Sequence, residues 1–145
     1  MKKTLFILLS ICIISLIIIL YVYNTYGKYL VISEKLNNEY ENYTNNVILG
    51  SSLMTLINKS IDQNEKNNVE KNKQNLYIEN DTNSIKIEIK FTESDKIYPM
   101  EAISKLGSGE FIKNYNSKNF KCTKKEYHSK TGQIKYMLFE EVIIL

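Results

Sequence analysis

The sequence predicts an α+β protein: a long N-terminal helix followed by a small domain with a four-stranded antiparallel sheet and short helices. Three observations carry this. An uncharged apolar run fills residues 4–23, helical spacing of apolar residues continues to position 47, and beyond position 75 the pattern changes to strict alternation. A period near 3.6 marks helix and a period of 2 marks strand.

Lys2 and Lys3 precede the run. Its apolar side chains are Leu5, Phe6, Ile7, Leu8, Leu9, Ile11, Ile13, Ile14, Leu16, Ile17, Ile18, Ile19, Leu20 and Val22. At 1.5 Å per residue, 5–23 reaches about 28 Å, close to the ~30 Å hydrocarbon core of a bilayer. Residues 1–27 are therefore expected to form a transmembrane anchor with the membrane lipid as partner. The run exceeds the length of a signal-peptide apolar region, and its exit offers no small-x-small cleavage site, so the anchor is expected to be retained. Lysine directly before the span predicts a cytoplasmic N-terminus and an extracytoplasmic body. Tyr21, Tyr23 and Tyr26 fall where an interfacial aromatic belt sits.

Residues 28–62 are expected to form a stem and a second helix. Tyr29, Ile32, Leu36, Tyr40, Tyr43 and Val47 recur three and four apart, one face of a helix. Such a stripe needs covering, by the chain's own domain or by another copy, so it is the expected assembly surface for protein partners or self-association. Gly50 breaks the pattern, Ser51 or Ser52 is placed to cap a second helix, and Leu53, Leu56, Ile57 and Ile61 give that helix an apolar face. Residues 63–75 are so polar that they read as an exposed linker.

The domain proper is expected at 76–145. Residues 76–79 and 84–91 read as a hairpin around the turn 80–83, with Ile85, Ile87, Ile89 and Phe91 on the buried face. Pro99 suits the first turn of a helix, Gly107 ends it, and 109–115 continue helical. A second hairpin joins 120–128 to 133–142, Gly132 supplying the positive φ of its turn. The apolar tail 142–145 is expected to dock as an edge strand or an interface.

Composition narrows the function classes. All 19 basic residues are lysine. Without arginine there is no bidentate reader of base edges, and nucleic acid is not an expected partner. From residue 111 onward lysines outnumber acids 7 to 3. Lys113, Lys118, Lys121, Lys124, Lys125 and Lys130 form a candidate patch for an anionic surface. Cys12 lies in the span and Cys122 in the distal domain, so no internal disulfide is expected; Cys122 reads as a small core residue. His128, the one histidine, reads as an exposed turn residue, and Glu140 and Glu141 point to opposite strand faces. No catalytic, cofactor-binding or metal-ligating constellation emerges, and the chain is expected to be non-enzymatic.

The order of a lysine-bearing leader, a long apolar helix with an amphipathic second half, and an antiparallel sheet behind it resembles the type IV pilins and pseudopilins. That resemblance implies a component of a pilin-like or secretion-type surface apparatus. Residues 2–9, Lys2-Lys3-Thr4-Leu5-Phe6-Ile7-Leu8-Leu9, carry neither the glycine nor the glutamate of a prepilin site, so no site residue is carried over. The stretch 47–61 is also similar to segments of small, uncharacterised bacterial membrane-anchored proteins. The alternative class is a membrane-tethered binding module recognising an anionic surface or a protein partner.

Overall fold

The computed structural model of the protein describes residues 2–94 and 96–144, with all their side chains except those of Lys2, Leu5 and Tyr29. One uninterrupted helix, α1 (Lys2–Thr44), opens the chain. The only proline is Pro99, so nothing removes a backbone donor along it. At 1.5 Å per residue it is about 65 Å long. Its stretch Phe6–Thr44 is long and apolar enough to cross a membrane.

The strand β1 (Val47–Leu49) follows, then α2 (Gly50–Lys66). Leu49, not Ser51 or Ser52, is the N-cap of α2, and no side chain caps it. The Gly50 N–H instead donates to the Lys118 carbonyl at 2.9 Å. Glycine is required there because a Cβ would stand 1.9 Å from the Tyr115 carbonyl oxygen.

The remaining elements are β2 (Lys86–Lys90), β3 (Ile97–Pro99), α3 (Met100–Leu106), α4 (Ser108–Tyr115), β4 (Asn119–Tyr127) and β5 (Ile134–Val142). The described residues form a mixed five-stranded sheet in the order β1-β4-β5-β2-β3. This corrects the expected four antiparallel strands. The β4–β5 hairpin forms as expected, with Gly132 at φ 66°. Residues 76–79, however, are not a strand paired with β2. β2 lies parallel to β5, with Ile87 opposite Met137, and pairs antiparallel with β3. Alternation defines which face of a strand is buried but not which strand lies beside it. The Pro99 ring is accommodated because β3 is an edge strand, and Pro99 also serves as the N-cap of α3.

The polar stretch after α2 is ordered by asparagine side chains rather than left as a linker. Asn64 is fully buried. Its amide donates to the Ile85 carbonyl at 2.7 Å and accepts from the Ile85 N–H at 2.8 Å. Asn80 Oδ1 accepts the backbone N–H groups of Thr82, Asn83 and Ser84, and Asn72 Oδ1 accepts those of Gln74 and Leu76. These local side-chain bonds replace a ladder where no strand partner exists. Val69 is buried as well.

The core fills the space between the helices and one face of the sheet. Leu53, Leu56 and Ile57 of α2 meet Ile85, Ile87 and Ile89, with Met137, Phe139 and Phe120 from the central strands. Phe111 and Tyr115 of α4 stack at 5.0 Å between centroids, and Phe91 sits 4.6 Å from Tyr115. Ile143 and Ile144 do not dock; β5 is a central strand, and both side chains stand exposed beyond its end. Leu145, the last residue of that tail, lies outside the described residues.

Replacing Asn64 by alanine strands two buried backbone groups of Ile85, each worth about 1–3 kcal/mol when unpaired. Asn64→Ala is expected to cost about 2–4 kcal/mol in a denaturant titration, whereas a true linker residue would leave the midpoint unchanged.

Candidate functional site

The first half of α1 presents its side chains outward on every side. Phe6, Ile7, Leu8, Leu9, Ile11, Ile13, Ile14, Leu16, Ile17, Ile18, Ile19, Leu20 and Val22 are all exposed; Leu5 lies outside the described side chains. None of the most apolar window is buried against the rest of the protein. The hydroxyls within it close on their own helix: Ser10 Oγ donates to the Phe6 carbonyl at 2.9 Å and Ser15 Oγ to that of Cys12 at 2.8 Å. Thr25 Oγ1 donates to the Tyr21 carbonyl at 2.8 Å. Internal satisfaction of polar groups is what a hydrocarbon solvent demands.

The second half of α1 is fastened to the domain. Ser33, buried, donates to the Thr131 carbonyl at 2.9 Å. One turn on, Asn37 Nδ2 donates to the Gly132 carbonyl and Asn37 Oδ1 accepts the Ile134 N–H, both at 2.8 Å. Tyr40 is fully buried, its hydroxyl 3.2 Å from Ser60 Oγ, and Glu39 is ion-paired with Lys59 of α2. Of the stripe read from the sequence, Tyr40 lies in the core, and Leu36 and Tyr43 pack half-buried against it. Ile32 and Val47 are exposed, and the Tyr29 side chain lies outside the described residues. Ser33 and Asn37 escaped sequence reasoning. Their signal is two short polar residues four apart, on the side of the helix that touches the hairpin.

Below this attachment lies a cleft of about 950 Å³. Tyr26, Leu30, Ile32 and Leu36 of α1 form one wall; the other is polar, from Gln63 and Asn67, the Thr82–Asn83 loop and the hairpin tip 129–133. The tip is tied to that loop by Thr131 Oγ1 donating to the Thr82 carbonyl and by the Lys130–Asp81 ion pair, both at 2.6 Å.

The six lysines of the proposed anionic patch do not share a face. Lys113 is in the last turn of α4, and Lys130 is at the hairpin tip. Lys121 and Lys124 sit on the sheet face away from the helices, where Lys124 pairs with Glu126 at 2.7 Å. Lys125 points the other way, its ammonium donating to Thr44 Oγ1 at 3.4 Å. Lys118 bridges Glu141 at 2.7 Å and Glu93 at 3.2 Å.

His128 is not an exposed turn residue. It is 3% exposed, with Nε2 2.7 Å from the Ser84 carbonyl, because the turn folds back onto the start of β2. Cys122 is half-buried at the core edge, where burial pushes its thiol pKa up. On the open sheet face, the Tyr136 hydroxyl donates to Glu88 at 2.7 Å; burial and the Glu88 carboxylate raise its pKa. Among the described residues no group of three His, Cys, Asp or Glu side chains is placed to hold a metal ion. Leu106 to Glu110 is a junction between α3 and α4, hinged at Gly107.

The arrangement defines a small α+β domain carried on a helix long and apolar enough to span a membrane. No protein-family model, curated protein or solved structure matches the chain.

The Glu141 carboxylate is 6% exposed. Burial raises its pKa, but Lys118 and the Thr92 N–H and hydroxyl outweigh that, and the net direction is down. A carboxylate lowered on folding stabilises the protein above its unfolded pKa, and that stability is lost as pH falls through the folded one. Glu141→Gln is therefore expected to be less stable than wild type at neutral pH. The gap is expected to close from about pH 5 to about pH 3, read by urea midpoints; a constant gap contradicts this assignment.

Proposed function

We propose that this chain is a single-pass membrane-anchored protein, N-terminus cytoplasmic and domain extracytoplasmic, acting as a non-enzymatic assembly component of a pilin-like or secretion-type surface apparatus. The observation that carries the reading is the continuity of α1: one helix presents an apolar, outward-facing first half and a second half bonded to the core. A domain held this way stands at a set height and orientation above the bilayer, which suits repeated assembly better than a flexible tether does. Lys2 and Lys3 ahead of the span support the orientation.

The far end of the domain offers the contact surface. β1 is an edge strand of the sheet, with Val47 and Leu49 exposed. Leu49, Asn119 and Val142 make one cross-strand row, from which exposed Ile143 and Ile144 continue. An apolar edge with free backbone groups invites pairing with another chain. The alternative, a module using the lysines of 113–130 against an anionic surface, has less support, because Lys118, Lys124 and Lys130 are ion-paired and Lys125 faces α1.

The test is the mass of the full chain in detergent micelles by light scattering. Wild type is expected to self-associate, and Val47→Lys with Leu49→Lys to weaken association by about tenfold or more, with Tm unchanged since both side chains are exposed. A wild type that stays monomeric at every concentration, or a double variant that associates equally, overturns the reading.

A further inference from the structure

Between the apolar run and the attachment to the domain, α1 carries three successive apolar residues, Leu30, Val31 and Ile32, exposed by 50%, 66% and 56%. At 3.6 residues per turn they point about 100° apart, so they ring more than half of the helix. Tyr26, one turn below Leu30, is exposed as well. A single docked partner covers one face of a helix; a collar of this breadth beside a spanning stretch calls for the interfacial layer of the bilayer. The lengths agree, since Lys3 to Ile32 is about 43 Å along the helix against about 40–45 Å for a bilayer with its headgroups.

The fold also sends polar loops to this end. β4 runs down to the tip 128–133, which Ser33 and Asn37 hold within a turn or so of Ile32. The Asn80 loop is tied to the tip through Thr82, and the end of α2 is tied to that loop by Asn67 Nδ2 donating to the Asn83 carbonyl at 2.8 Å. The result is an apolar collar beside a cleft of amides and hydroxyls, with Lys35 and Lys130 on its lining. Lipid phosphates accept hydrogen bonds from such groups, while aromatic and aliphatic side chains settle among the glycerol and upper acyl segments.

We propose that the domain is seated on the bilayer, with the collar Tyr26 to Ile32 in the interfacial layer and the cleft between α1 and the hairpin tip taking phospholipid headgroups. This rests on the reading of α1 as a membrane span, and the test separates the two. The chain has no tryptophan, so one introduced at a time is an unambiguous reporter. The full chain is reconstituted in phosphatidylcholine vesicles bearing a nitroxide on either the headgroup or the acyl chain. Three variants are compared: Leu16→Trp in the span, Ser129→Trp at the hairpin tip and Ile97→Trp at the opposite end of the sheet. Expected is loss of most of the Ser129→Trp fluorescence to the headgroup nitroxide, an unquenched Ile97→Trp, and a Leu16→Trp quenched by the acyl nitroxide. If positions 129 and 97 behave alike while position 16 is quenched, the span stands and the seated domain is overturned; a second copy covering the collar gives that same pattern. An unquenched position 16 overturns the span, and the seating with it.

Discussion

The structure depends on two asparagine amides, each of which closes a gap that the sheet cannot close for itself. Asn37 on α1 serves the Gly132 carbonyl and the Ile134 N–H; Asn64 on α2 serves both backbone groups of Ile85. These backbone groups stand where β5 and β2 begin, before their ladders take over. Buried and unpaired, each costs about 1–3 kcal/mol, comparable to burying a whole aliphatic side chain. Each helix is thereby held in one register against the sheet. Apolar contact alone tolerates sliding; an amide that must both donate and accept does not.

From that constraint follows the coupling of the two halves of α1. The helix has no proline, and its polar contacts begin at Ser33, shortly after the apolar collar ends. The intervening backbone is continuous helix, so a displacement of the span is transmitted to the core through Ser33, Asn37 and Tyr40. The domain then has two distinct ends: a lower one where α1, the hairpin tip and the Asn80 loop meet, and an upper one where β1, Val142 and the exposed isoleucines lie. A protein that must hold one end to a membrane and offer the other to neighbours gains from this polarity.

Much of this was legible in the sequence, and the failures have a common cause. The span, the stem helix, the buried face of α2 and the β4–β5 hairpin all announce themselves by local periodicity, which depends only on neighbours in the chain. Strand pairing does not. Ile85, Ile87 and Ile89 show that β2 has one buried face, yet nothing local says that its neighbours are β5, in parallel, and the short β3. The stretch around Asn64, Asn67, Asn72 and Asn80 looks like a solvated linker because its stability lies in side-chain to backbone bonds, which carry no hydropathy signal. His128 misleads for the same reason: its turn is polar, but the turn folds onto Ser84. The lysines after residue 110 cluster along the chain and disperse in space, since strand alternation sends Lys124 and Lys125 to opposite sides of the sheet.

The central claim is that one rigid helix couples span and domain. Amide hydrogen exchange of the full chain in vesicles tests it most directly. The account predicts that amides of residues 24–44 are protected as a single block, with slow exchange running without a break from the span into the core. Fast exchange confined to residues 24–32, between a protected span and a protected domain, would show a hinge there and contradict it.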